Sequence, residues 1–141
     1  MTTEIRSASR LRVVAQAALG AAMLTAGTGH LTVQRQEFQA QVPPWFPADP
    51  DLVVVLSGIV EIGLGAALLT VWHQPWRRRL GLLLALFFVA VLPGNIAQLT
   101  EHRDAFGLDT DTKRAVRLLF QPLLVLWALA ATKPATRSDE D

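Results

Sequence analysis

One carboxylate stands in the middle of a long apolar stretch of this chain. Glu61 lies in the run "SGIVEIGLG", with "LVVVL" directly before it and "AALLTVW" directly after it. Burying a charge in apolar surroundings is costly unless another group pairs with it or a proton neutralises it. A functional site is therefore expected where other polar side chains can reach Glu61.

Four apolar segments would have to position those side chains. They cover residues 11–33, 52–72, 80–99 and 115–132, and each is close to the ~20 residues that a helix needs to cross a bilayer. Lipid offers no partner to a free backbone amide, so each segment is expected to be helical. A soluble four-helix bundle is the alternative, but "LGLLLALFFVAVL" lacks the polar face that such a helix would carry. We predict an all-α fold, an integral membrane four-helix bundle, with tails at residues 1–10 and 133–141, the latter disordered.

The first segment has a second interpretation as a secretory signal. Arg6, Arg10 and Arg12 form a basic stretch before the apolar residues, as in the n-region of a signal peptide. The apolar part continues past the usual length of such a signal, and no clean A-x-A cleavage site ends it. These features favour a membrane span.

Basic residues indicate the orientation, because cytoplasmic loops are rich in Lys and Arg. With four spans, one side carries Arg6, Arg10, Arg12, Arg77, Arg78, Arg79, Lys133 and Arg137. The other side carries "QRQEFQAQVPPWFPADPD" and "TEHRDAFGLDTDTKR", in which acids outnumber bases. We therefore predict that both termini are cytoplasmic and that the protein lies in the cell (plasma or inner) membrane as a multi-pass protein.

Apart from Gln16, the strongly polar residues inside the spans lie in the outer half of the predicted bundle. At a rise of 1.5 Å per residue, Glu61 lies roughly 13 Å from the outer end of its helix. Intramembrane ionisable groups usually face the interior of a bundle and find partners there. We predict one polar pocket in the outer half of the bundle, formed by His30, Glu61, Asn95, Arg117 and Gln121.

Each member of this pocket also has a purely structural interpretation. Glu61 and Arg117 could be a buried pair that fixes helix register. Arg117 could instead extend to the interface, and His30 could contact lipid headgroups. Asn95 and Gln121 lie next to prolines and could satisfy backbone groups that those prolines free.

A proline-rich loop connects the first two spans and could close the pocket. Its sequence is "VPPWFPADPD", in which the prolines oppose regular helix. We predict that this loop folds onto the mouth of the pocket as a lid, with Pro43, Trp45, Phe46 and Pro47 as its candidate residues. The alternative is an anchor in the membrane interface with no gating role.

Composition excludes several kinds of site. The chain has no cysteine, which excludes disulfides, thiol redox chemistry and cysteine-ligated metals. Its net charge is +1 and no basic stripe is present, so nucleic acid is not an expected partner. No haem, flavin or Fe–S signature is recognisable, and we predict no metal site. The cofactor is left open, with a quinone as one candidate.

Several of these stretches together resemble the DoxX-like integral membrane proteins. The resemblance lies in Gly29–His30, Val42–Pro43, "SGIVE" and the two stretches "LPGNIAQL" and "VRLLFQPLLVLWAL". It covers nearly the whole chain except the tails and implies a four-helix membrane bundle. The biochemistry of that family is mostly unassigned, although its namesake is associated with quinol and thiosulfate oxidation and some relatives with oxidative-stress complexes. The resemblance implies no catalytic residue here.

Three functions remain open from the sequence. The first is binding of a lipophilic ligand, such as a quinone or lipid, with its polar head in the predicted pocket. The second is an accessory subunit of a membrane redox complex, in which Glu61 or His30 relays protons and partner subunits hold the redox centre. The third is an assembly or scaffold protein. Whether the protein is an enzyme is left open as well.

Overall fold

The structure, a computed structural model, describes residues 2–134, with side chains from Arg10 onward. The described part is all-helical and contains no strand, which confirms the predicted all-α class. Its helices are α1 Thr2–Leu31, α2 Arg35–Gln39, α3 Pro50–Thr70, α4 Trp76–Ala90, α5 Leu92–Thr100 and α6 Asp111–Thr132. The tail predicted at residues 133–141 lies outside the described residues from position 135 onward.

Within the described residues, four stretches of helix are long and apolar enough to cross a membrane. They are Arg10–Leu31, Pro50–Thr70, Trp76–Thr100 and Asp111–Thr132, and each contains or closely overlaps a segment predicted from the sequence. Large apolar side chains cover their outward faces and are between 49% and 70% exposed, among them Leu56, Ile59, Leu82, Leu86, Leu119 and Leu123. So much exposed apolar surface is unusual for a soluble monomer and compatible with a multi-pass membrane protein.

The helices pack as two pairs, α1 with α3 and α4 with α6. Glycines bring α1 and α3 into backbone contact, because a Cβ atom at Gly65 would lie 2.8 Å from the carbonyl oxygen of Gly20. One at Gly27 would lie 2.8 Å from the carbonyl oxygen of Gly58. Small residues permit this close approach, which is typical of membrane helices.

The third candidate span is broken between α4 and α5. Val91 separates the two helices, and Pro93 stands in the first turn of α5, where its missing N–H is tolerated. The break lets a loop approach closely, since a Cβ atom at Gly94 would lie 1.9 Å from the carbonyl oxygen of Gln41. It also places Asn95 and Gln98 inside the bundle, where both are buried.

We call the end of the bundle that carries residues 32–49 and 101–110 the outer end, and the end that carries residues 71–75 the inner end. At the inner end, Gln16 is fully buried and donates to the carbonyl oxygens of Leu68 at 2.8 Å and Val71 at 2.9 Å. Arg77 donates to the Gln16 side-chain oxygen and to the carbonyl of Ala131 at 2.7 Å. These donors satisfy carbonyls that helix C-termini leave free.

Candidate ligand-binding cavity

A cavity of about 400 Å³ lies toward the outer end, between the two helix pairs. Its apolar wall includes Met23, Val54, Phe88 and Leu124. Seven polar residues also line it, namely His30, Gln41, Ser57, Glu61, Asn95, Arg117 and Gln121. The structure thus brings all five candidate residues from the sequence to the wall of one cavity.

Glu61 meets His30 inside this cavity. The Glu61 Oε2 atom lies 3.3 Å from His30 Nε2, and the two side chains are only 11% and 9% exposed. Their geometry does not complete a hydrogen bond, so Oε2 has no hydrogen-bond partner. Gly58 makes room for the imidazole, because a Cβ atom there would lie 2.7 Å from the Cβ of His30. The ring of Phe38 covers His30, with the ring centroids 3.5 Å apart.

The other imidazole nitrogen of His30 faces the hydroxyl group of Ser57. Ser57 Oγ donates to the carbonyl of Val54 at 3.1 Å, and His30 Nδ1 lies 2.9 Å from Ser57 Oγ. The donor in the contact between His30 and Ser57 depends on the tautomer of the imidazole.

Arg117 does not form an ion pair with Glu61, so the alternative interpretation of these two residues as a buried pair does not match the structure. No ion pair within 4.0 Å joins these two described residues, and Arg117 Nη1 is buried without a hydrogen-bond partner. The physical reason is the helix arrangement. Glu61 lies on α3, which packs on α1 and therefore on His30, whereas Arg117 comes from α6, which lies across the cavity. Periodicity alone does not say which helices are neighbours.

Asn95 and Gln121 form a short hydrogen-bond relay. Gln121 Nε2 donates to the carbonyl of Phe88 at 2.7 Å, close to the break between α4 and α5. Asn95 Nδ2 donates to Gln121 Oε1 at 3.3 Å. Gln121 therefore binds a backbone carbonyl of α4 rather than one that Pro122 frees in its own helix. Asn95 Oδ1 is buried without a partner and remains available as an acceptor.

Residues 38–46, which we call the cover, close the outer side of the cavity. Pro43, Trp45 and Phe46 line the cavity as expected, while Pro47 is not among its lining residues. Trp45 is 70% exposed and Phe46 is 42% exposed, so this part of the wall lies at the molecular surface.

Three hydrogen bonds hold the cover from the loop between α5 and α6. Arg103 Nη1 donates to the carbonyl oxygens of Gln39 at 3.4 Å, Ala40 at 3.2 Å and Val42 at 2.9 Å. Gln41 Nε2 also donates to Gln98 Oε1 at 3.2 Å. The cover is therefore fastened at its first half, next to the cavity.

A surface ion pair connects α2 to the start of α3. Arg35 Nε donates to Asp51 Oδ1 at 2.7 Å, and Arg35 Nη2 donates to the other carboxylate oxygen. These hydrogen bonds raise the pKa of Arg35 further above its ordinary value. The charged guanidinium makes a bidentate contact with the Asp51 carboxylate. This contact orients α2 beside α3.

Sequence reasoning missed α2, Phe38, Gln41 and Arg103. The short helix lies in a polar stretch, and a five-residue helix is too short for periodicity to reveal. In the sequence analysis, Arg103 entered only the charge balance of an outer loop. A basic residue in a short loop between spans can hydrogen-bond the free carbonyl groups at the end of a nearby helix. Arg103 could have been considered for this role from the sequence.

Comparison with known proteins places this architecture in a family. The model of a family described as a domain of unknown function, DUF8561, matches residues 19–132. That region includes every residue that lines the cavity, from Leu19 to Leu124. No curated protein and no solved structure matches the chain. Since the family model covers more than half of the chain, the protein belongs to the family of the domain of unknown function DUF8561.

Proposed function

We propose that this protein is a multi-pass membrane protein that binds a lipophilic ligand, such as a quinone or a lipid, in the cavity at its outer end. The polar head of the ligand meets the buried polar side chains, and its apolar part follows the apolar wall. Such a combination of an apolar pocket and a few convergent polar groups is typical of ligand sites. The volume of about 400 Å³ is near the lower end of the ~300–1,000 Å³ range of such pockets.

One observation carries this proposal. Three buried side-chain atoms of the described residues have no hydrogen-bond partner, and they are Glu61 Oε2, Asn95 Oδ1 and Arg117 Nη1. All three residues line the same cavity. A buried polar group without a partner costs about 1–3 kcal/mol. Three such groups from three helices around one cavity are best explained by a ligand that supplies their partners.

The proposed topology places both termini in the cytoplasm and the cavity toward the outer leaflet. Its support is the basic bias of the inner end, where Arg77 and Arg78 flank the connection between α3 and α4. The resemblance to DoxX-like proteins agrees with a four-helix membrane bundle, and a relationship to that family stays a prediction.

Filling the cavity should remove the ligand. Ala22 lines the cavity on α1, and Ala22→Phe adds an aromatic ring to that space. We expect wild-type protein, purified in a mild detergent, to carry a lipophilic molecule that native mass spectrometry detects, and the variant to carry little or none. The reason is steric, because close-packed protein has no room for both the ring and the ligand.

Ala21→Phe is the matched control. Ala21 is exposed, neighbours Ala22 in α1 and is not among the cavity-lining residues. Both variants change helix propensity and hydropathy equally, so only Ala22→Phe should lose the ligand. A wild-type protein that is free of any bound molecule, or equal occupancy in both variants, would contradict the proposed function.

The absence of cysteine makes the topology directly measurable. Val33→Cys introduces a thiol at a position that is 92% exposed at the outer end, and His73→Cys introduces one at the exposed inner loop. We expect a membrane-impermeant thiol reagent to label Val33→Cys in intact cells and His73→Cys only after permeabilisation. Wild-type protein is the unlabelled control. The reverse pattern would show that the termini lie outside.

A further inference from the structure

The cationic group in the cavity lacks an anion. Arg117 makes no hydrogen bond and no ion pair with any described residue, and its Nη1 atom is buried. A guanidinium is always charged under physiological conditions. Removing such a charge from water without a counter-charge is costly, and membrane-embedded arginines usually pair with other groups.

The carboxyl group in the same cavity is not the counter-ion of Arg117. Glu61 lies 3.3 Å from His30, and no ion pair within 4.0 Å joins it to Arg117 among the described residues. Arg117 is therefore a cation of the cavity wall without a carboxylate beside it.

The neighbouring amides show where an anion can bind. Asn95 donates its Nδ2 to Gln121, and Gln121 donates its Nε2 to the carbonyl of Phe88. Each amide nitrogen keeps a second N–H that these two bonds do not use, and the unpartnered atom of Asn95 is the acceptor Oδ1. Among these three side chains, Arg117 alone offers a charged donor, and its Nη1 atom has no partner.

From this unpaired guanidinium in the cavity wall we propose that the ligand is an amphiphile whose head carries an oxyanion, a carboxylate or a phosphate, and that Arg117 binds this head. The inference rests on the proposed function and specifies its ligand. An oxyanion gives the guanidinium charge-assisted hydrogen bonds, which are the strongest that it can make. The apolar wall of the cavity contacts the alkyl chain of the ligand. A cavity of about 400 Å³ takes a head with part of one chain rather than a whole two-chain lipid.

Matched probes test the charge of the head. Hexadecyl phosphate and hexadecanol share one chain, and only the first is charged at pH 7.5. We expect wild-type protein in phosphatidylcholine nanodiscs to bind hexadecyl phosphate roughly tenfold or more tightly than hexadecanol. Arg117→Gln should lose this preference and Arg117→Lys should keep most of it. Arg79→Gln, which removes an exposed arginine at the inner end, should not change it.

Several results would overturn the inference. Equal binding of the two probes by wild-type protein would show that no charge is recognised, and so would an unchanged preference in folded Arg117→Gln. Inorganic phosphate that binds as tightly as hexadecyl phosphate would show a small-ion site without chain recognition. Tight binding of the uncharged decylquinone, with no effect of Arg117→Gln, would refute the charged head and leave the proposed function standing. If none of the probes binds and no ligand co-purifies, the proposed function itself fails.

Discussion

Gly65→Leu will prevent α1 and α3 from packing, whereas Gly63→Leu, two residues earlier in the same helix, will leave the bundle intact. A Cβ atom at Gly65 would lie 2.8 Å from the carbonyl oxygen of Gly20 and 2.9 Å from the amide nitrogen of Leu24. Both are backbone atoms of α1, which cannot move without moving the helix. We expect a loss of about 3 kcal/mol or more of folding free energy, at the upper end of overpacking effects.

Gly63 is the matched control, since a Cβ atom there would meet nothing within 4 Å. The two variants are identical in composition, hydropathy and helix propensity. Their monodisperse fractions after heating in detergent, measured by size-exclusion chromatography, should differ sharply, with Gly65→Leu aggregating at a much lower temperature. Equal melting of the two variants would show that α1 and α3 do not approach through Gly65.

Arg103→Met will free the cover while leaving the helices folded. The substitution removes the donor for three carbonyl oxygens, the closest being that of Val42 at 2.9 Å. Hydrogen bonds to a charged group contribute about 1.5–3 kcal/mol each when buried, and these are partly exposed, so we expect about 2 kcal/mol in total. That difference corresponds to a roughly thirtyfold higher population of the open cover.

Hydrogen exchange followed by mass spectrometry will measure this opening. Amides of residues 39–46 should exchange markedly faster in Arg103→Met, and those of α3 and α6 should not change. Lys113→Met is the control, because Lys113 pairs only with Asp109 on the surface. Unchanged exchange of the cover in Arg103→Met would show that the Gln41–Gln98 contact and Gly94 suffice to hold it.

The spans and the depth of the polar residues could be predicted from the sequence for a simple physical reason. In lipid, backbone groups must bond within the segment, so length and hydropathy are enough to indicate a crossing helix. The fixed rise of the helix then gives the depth of each side chain. Glu61, Asn95 and Arg117 were therefore expected near the outer end, and they do line the cavity there.

The pairing of these side chains could not be predicted in the same way. The sequence predicted that His30 and Arg117 share one pocket with Glu61 and left a Glu61–Arg117 pair as an alternative, whereas in the structure His30 lies 3.3 Å from Glu61 and Arg117 is not within 4.0 Å. The difference arises from glycine contacts between α1 and α3, which bring His30 against Gly58. Nothing in hydropathy distinguishes α1 from α6 as the neighbour of α3.

Four apolar helices, a carboxylate among them at a definite depth, and a proline-rich stretch that resists helix all follow from the sequence alone. These features are local, because they depend only on the solvent and on the geometry of one segment. The packing of the helices determines that Glu61 faces His30, that Arg117 has no ion-pair partner among the described residues and that Arg103 holds the cover. Those features depend on which backbones approach each other, and that is set by contacts between residues far apart in the chain.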